Sequence, residues 1–115
     1  MALPQEYRLK RKKDFEEIKK SGQIYHASFF SVLLTRDKSQ DPSLFGFLIS
    51  KKIDLRAVKR NRLRRIFSEA VRVNISNINP GFKVLFLVKK ASLENQSKIK
   101  SSIIEVLIKI EVLKR

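Results

Sequence analysis

Lys59-Arg60-Asn61-Arg62-Leu63-Arg64-Arg65-Ile66-Phe67-Ser68-Glu69-Ala70-Val71 sets apolar side chains at Leu63, Ile66, Phe67, Ala70 and Val71. That is the i, i+3, i+4, i+7, i+8 spacing of one helix face, and it predicts a helix over 55–73. At about 100° per residue the core stripe centres near Leu63 and Ala70. Asn61, Arg65 and Arg72 then fall almost opposite the core, with Arg62 and Arg64 flanking them. Lys59 and Arg60 fall on the core side, where charged heads cannot stay. They are expected where the helix overhangs the sheet edge, stems on apolar surface and heads in water.

Upstream, Leu44-Phe45-Gly46-Phe47-Leu48-Ile49-Ser50 reads as a strand. Gly46 inside it signals a bulge or a close backbone approach. Lys51 and Lys52 follow at its exit. Before it, residues 23–36 are extended in character, with Ser28 to Thr35 rich in β-formers. Alternation puts Phe30, Val32 and Leu34 on a wholly apolar, core-facing side, and Phe29, Ser31 and Leu33 on a mixed side that can be partly open. Asp37, Asp41 and Pro42 mark a loop from Arg36 to Ser43. The short connection predicts a hairpin between these two strands. Residues 12–21 read as a helix, with Asp14, Glu16 and Glu17 early and Lys19 and Lys20 late, matching the helix dipole. Gly22 supplies the stop. Phe15 and Ile18 should face the sheet.

Downstream, Asn79-Pro80-Gly81 is a turn, and Phe82 to Val88 is a mostly apolar run suited to a buried strand. Asn95 is placed to cap a last helix whose stripe is Ile99, Ile103, Val106, Leu107 and Ile110. The order helix, strands, helix, strand, helix gives a mixed sheet with helices packed on it, an α/β sandwich of the α+β class.

The chain has 115 residues, which fits one domain, and 43% are hydrophobic, enough for a core. A formal net charge of +15 calls for a polyanion, nucleic acid first and an anionic membrane surface second. The absence of cysteine removes disulfides, zinc knuckles and thiol nucleophiles. His26, the single histidine, sits between Tyr25 and Ala27 and reads as a strand residue rather than a catalyst or metal ligand. No apolar signal core or membrane-length run is present. A cytoplasmic location is therefore expected, and the membrane reading is weak.

Between Lys51 and Arg72 stand nine basic residues, Lys51, Lys52, Arg56, Lys59, Arg60, Arg62, Arg64, Arg65 and Arg72. Only Asp54 and Glu69 oppose them, so carboxylate pairing cannot satisfy this surface. Arginine grips phosphate bidentately and stacks on bases. Asn61 offers a donor and an acceptor to a base edge or a 2′-hydroxyl. A basic cluster at Arg8, Lys10, Arg11, Lys12 and Lys13 reads either as a solvated leader or as an arm on a phosphate backbone. Hydrolysis of a phosphodiester by the chain alone would want clustered carboxylates or paired histidines. The eleven carboxylates are scattered; Asp14 and Glu17 can share a helix face but lack further ligands. These residues point to nucleic-acid binding and leave open a structural RNA binder such as a ribosomal protein and an architectural DNA binder, beside the protein part of a ribonucleoprotein endonuclease that a family resemblance implies.

Phe45-Gly46-Phe47-Leu48-Ile49-Ser50-Lys51-Lys52-Ile53, followed by Ala57-Val58-Lys59-Arg60-Asn61-Arg62-Leu63-Arg64-Arg65 and Glu69, resembles the signature of the bacterial ribonuclease P proteins. Arg8-Leu9, Asp14-Phe15 and Gly22 are similar to that family's opening. Gly81-Phe82 through Ala91 and the final amphipathic helix are similar to its ending. The resemblance implies a two-layer α/β sandwich in αβββαβα order, with a left-handed β-α-β crossover, like domain 2 of ribosomal protein S5. It implies a single RNA-binding domain over 1–115, with a basic N-terminal arm at about 1–12. It further implies an endoribonuclease subunit that binds the catalytic RNA and the 5′ leader of precursor tRNA, with Mg²⁺ and the hydrolysis belonging to the RNA.

Carried over residue by residue, the resemblance assigns Ser50, Lys51, Lys52, Lys59, Arg60, Asn61, Arg62, Arg64 and Arg65 to the catalytic RNA. It assigns Phe15, Lys19, Phe29, Ser31 and Leu33 to a cleft for the single-stranded leader. Phe15 there reads equally as a base-stacking aromatic and as a core residue under the first helix. The sequence departs from the family pattern in four places. Lys19 and Leu33 stand where aromatics are usual, which shifts leader contacts from stacking towards charge. Asp54 replaces a glycine and is placed to cap the next helix. Ser68 replaces an arginine.

Overall fold

The strand Phe82–Val88 is apolar on both faces, so it needs cover on both, and it takes an interior place in the sheet. The structure, a computed structural model, describes residues 3–36, 40–93 and 96–114. Along these the order is α1 (Lys12–Ser21), β1 (Gln23–His26), β2 (Phe30–Arg36), β3 (Leu44–Leu48), α2 (Ala57–Arg72), β4 (Phe82–Val88) and α3 (Gln96–Lys109), with 3-10 turns at Gln5–Tyr7, Ile75–Asn77 and Lys90–Leu93. Asp37 and Asn95, read as a turn residue and a helix cap, lie outside the described residues.

The sheet runs β1-β2-β4-β3. The expected hairpin between the second and third strands does not form. β4 lies between them, antiparallel to β2 and parallel to β3. Alternation states which face a side chain takes, not which strand lies beside it. The strand with the most apolar surface wins the interior slot, and β3 reaches it through the α2 crossover. The extended stretch 23–36 is also divided. A turn at Ala27–Phe29, with the Ala27 N–H donating to Phe30 O at 2.8 Å, folds β1 back on β2.

On one face, Phe30, Val32, Val84, Phe86 and Phe45 meet Leu63, Phe67, Ala70 and Val71 of α2 and Ile99, Ile103 and Leu107 of α3. Phe30, Phe67 and Phe86 pack edge-on with centroids 5.5 to 5.7 Å apart, the favourable arrangement for aromatic quadrupoles. On the opposite face α1 lays Ile18 on Leu85 and Leu9, with Phe15, Leu33, Leu44 and Leu87 partly buried around them. The side carrying Ser31 is thus covered in part by α1.

Space is tight at two glycines. Gly46 lies in unbroken register opposite Leu85, so there is no bulge. A Cβ there would stand 3.1 Å from Leu85 Cδ1 and 3.2 Å from Leu9 Cδ2. Leu9 is drawn in because its N–H donates to Phe45 O at 2.9 Å, so residues 8–9 run along the outer edge of β3. Gly22 ends α1 by donating to Ile18 O at 2.8 Å. Its φ of −72° suits any residue. The constraint is steric, because a Cβ would lie 2.4 Å from Ile18 O.

Candidate nucleic-acid interface

The loop from β3 into α2 is braced by its own polar groups. Ser50 Oγ accepts from the Lys52 N–H at 2.9 Å and Ser50 O from the Ile53 N–H at 3.0 Å, a turn that leaves Lys51 and Lys52 exposed. Asp54 does not cap α2 as its position suggests. The helix begins at Ala57, two residues later than the periodicity predicts, with Arg56 at the N-cap and no side-chain cap bond. Asp54 instead accepts from the Arg56 N–H at 2.9 Å and grips the Arg56 guanidinium at 3.0 and 2.9 Å. Hydrogen bonds from the Arg56 side chain and then its backbone hold the Asp54 carboxyl at about 2. Arg60 donates to Asp54 O at 2.8 Å and Leu55 O at 2.7 Å, fastening the loop to the first turns of the helix. Lys59 and Arg60 are half-buried at this overhang.

Along the exposed flank of α2, Arg64 donates to Asn61 Oδ1 at 3.0 Å, which pre-orients the guanidinium. Arg62 and Arg65 are exposed. Ser68 is buried and turns its hydroxyl back to Arg64 O at 2.7 Å. Arg72 is half-buried and pairs with Glu69 at 3.5 Å, so this end of the flank is less open than the helical wheel implies. Among the described residues the carboxylates of this stretch engage only Arg56 and Arg72 of its nine cations. Lys51, Lys52, Lys59, Arg60, Arg62, Arg64 and Arg65 form no ion pair with a carboxylate among the described residues, which leaves an excess of positive charge suited to a phosphate backbone.

Beside this flank, a cleft of about 720 Å³ opens between α2, the edge of β3 and residues 3–9. Asn61, Arg64, Arg65 and Arg8 stand at it with Phe15, so one residue expected in the leader cleft shares a cavity with three expected at the catalytic RNA. Phe15 and Lys19 are one turn apart on α1 and share a face. Ser31 and Leu33 lie on the sheet side that α1 partly covers. Phe29 is separated from them. β2 begins only at Phe30, and Phe29 packs against the larger core, its carbonyl accepting from the Lys89 N–H at 3.0 Å and Ser92 Oγ at 2.6 Å.

Two features of this face escaped the sequence reading. His26, Leu87 and Leu48 join Ser31 in one row across it, visible only once strand order and register are known. Asp14 and Glu17 do share a helix face, but what lies between them is Lys83 Nζ, at 3.1 and 3.0 Å. Glu17 and Asp14 together raise the Lys83 pKa. The pair already shares a cation, which occupies the space between the two carboxylates and offsets one of their two charges. Among the described residues no cluster of three or more metal-ligating side chains occurs, and no helix is long and apolar enough to cross a membrane.

A model of the family described as Ribonuclease P matches residues 3–111. The chain is 35% identical over 97 residues to the ribonuclease P protein component of Microcystis aeruginosa, covering 82% of this chain and 81% of that one. It is 34% identical over 97 residues to the one from Fusobacterium nucleatum, covering 84% and 86%. Among solved structures, the RNase P protein of Staphylococcus aureus superposes with a TM-score of 0.84 at 28% identity, over 94% of this chain and 98% of that one. That of Thermotoga maritima gives 0.76 at 26% identity, over 87% and 94%.

Proposed function

Since the chain belongs to the ribonuclease P protein family, and is thereby the protein subunit of a ribonucleoprotein endoribonuclease that matures the 5′ end of tRNA, we propose how its surface is divided between two RNAs. The catalytic RNA lies against Ser50, Lys51, Lys52, Lys59, Arg60, Asn61, Arg62, Arg64 and Arg65. The 5′ leader of precursor tRNA lies on the sheet face bordered by α1, against Phe15, Lys19 and Leu33, with Ser31 buried beneath it. Phe29 drops out of that set because it packs with the other core.

The observation that carries the reading is the run of uncompensated cations on a pre-braced loop and helix flank. Arg60 holds the loop, Asn61 orients Arg64, and Arg62 and Arg65 remain free to bind phosphate. Hydrolysis is assigned to the RNA subunit, with Mg²⁺ bound there. The Asp14–Glu17 pair on α1 is engaged by Lys83, so the chemistry is assigned to the RNA rather than to these carboxylates. The protein contributes binding energy and charge neutralisation, which lets two polyanions approach and lowers the Mg²⁺ needed to screen them.

The test is reconstitution with a catalytic ribonuclease P RNA at low Mg²⁺. Cleavage of precursor tRNA at the mature 5′ end should be restored on adding the chain. No restoration at any Mg²⁺ concentration where the RNA alone is inactive would overturn the reading.

A further inference from the structure

The sheet face beneath α1 is apolar at Leu33, Leu85 and Leu87, and it opens beyond the helix, where Leu48 and Ile24 are each 48% exposed. One polar pair interrupts it. His26 on β1 lies opposite Ser31 on β2, and the pair continues in register to Leu87 and Leu48. His26 Nδ1 and Ser31 Oγ are 2.9 Å apart, while Ser31 is only 5% exposed.

A buried hydroxyl has to place its hydrogen somewhere. Among the described residues the partner of Ser31 Oγ is His26 Nδ1. With Ser31 as the donor to Nδ1, a neutral imidazole carries its proton on Nε2. His26 as a residue is exposed. The pair thus presents a single oriented N–H donor at the border of an apolar platform. A nucleobase has the matching chemistry: a π-face that lies on apolar surface and an edge that bonds in the plane. Where that donor meets the exocyclic group at C6 of a purine or C4 of a pyrimidine, it favours the carbonyl of G or U over the amino group of A or C.

We propose that His26, positioned by Ser31, is a specificity-determining residue that reads one base of the single-stranded leader and favours the keto bases G and U over A and C. The inference rests on the reading that the leader occupies this face.

The experiment measures binding of the complex with catalytic RNA to precursor tRNAs whose leaders vary one position at a time, with a one-nucleotide leader as reference. At one leader position G and U should bind about 3- to 10-fold tighter than A and C, the worth of one hydrogen bond. His26→Ala should level that preference. His26→Gln, which keeps an N–H donor, should retain most of it. Ser31→Ala should shrink it by releasing the ring. Circular dichroism and Tm confirm that each variant is folded. A preference that survives in His26→Ala, or no keto preference at any position in the native protein, overturns the inference while leader-dependent affinity still stands. Equal affinity of native complex for long and one-nucleotide leaders overturns the underlying reading, and this inference with it.

Discussion

Lys83 Nζ lies 3.0 Å from Glu17 Oε2, joining the central strand to α1, and the same ammonium reaches Asp14 Oδ1 at 3.1 Å. α1 is otherwise seated on the sheet by a small apolar cluster around Ile18, Leu9 and Leu85. The lysine therefore sets where the helix sits, and with it where Phe15 and Lys19 stand.

Replacing Lys83 with Met should cost about 1 kcal/mol, the upper end for an exposed ion pair, because Lys83 and Asp14 are largely shielded while Glu17 is 45% exposed. The Lys83 pKa is raised in the folded state. Its contribution is then fully present below the unfolded lysine value of about 10.4 and is lost as pH climbs through the higher folded value. Chemical denaturation of native and Lys83→Met protein should differ by a constant amount from neutral pH to about 10, and converge above it. A gap that keeps growing above pH ~10.4 would contradict the ion-pair account.

Arg62 and Arg65 have no carboxylate partner among the described residues, whereas Arg60 is spent on Asp54 O and Leu55 O. The double variant Arg62→Ala/Arg65→Ala should make the dependence of log K on log salt shallower by about 1.4 to 1.8, two phosphates' worth, with an unchanged Tm. Arg60→Ala should instead loosen the loop at residues 50–56. Faster amide exchange at Leu55 and Arg56 in that variant, measured by NMR, would separate the two roles.

Gly22→Ala should destabilise the fold by about 2 kcal/mol or more, since a methyl 2.4 Å from a backbone oxygen forces the end of α1 to move. At about 4 °C per kcal/mol for a domain of this size, the Tm should fall by roughly 8 °C. An unchanged Tm would show that the junction yields freely.

Ser43 is buried and serves two partners, donating to Asn79 O at 2.6 Å and accepting from the Phe82 N–H at 3.0 Å. Ser43→Ala strands that buried N–H at the start of the central strand, a loss of about 1 to 3 kcal/mol. Thermal denaturation reads the loss directly.

Much of this was legible in the residues themselves. Phe30, Val32 and Leu34 do face the main core, the stripe from Leu63 to Val71 does pack on the sheet, and Gly46 does mark a close approach. Those are local statements about period and size. Strand order was not legible, because β3 and β4 meet only after α2 brings them together, and the eight residues from Arg36 to Ser43 looked like a hairpin loop. The cationic flank was readable because charge density needs no geometry. The row of His26, Ser31, Leu87 and Leu48 was not, since each member comes from a different strand and only register aligns them. Asp54 misled for a related reason. Its short side chain suits a cap, but a two-residue offset gave it the N–H of Arg56 instead.

The sheet order also imposes a schedule on synthesis. The central strand is the last of the four to be translated. Until Val88 has left the ribosome, β2 and β3 have no common neighbour, and α2 lacks the part of its apolar floor that Val84 and Phe86 supply. At roughly 5 to 20 residues per second, the nascent chain spends about a second or more with its cationic segment synthesised and its core unmade. Pairings so distant in sequence form slowly even in a finished chain. A polyanion within reach during that interval meets the binding surface before it meets the fold.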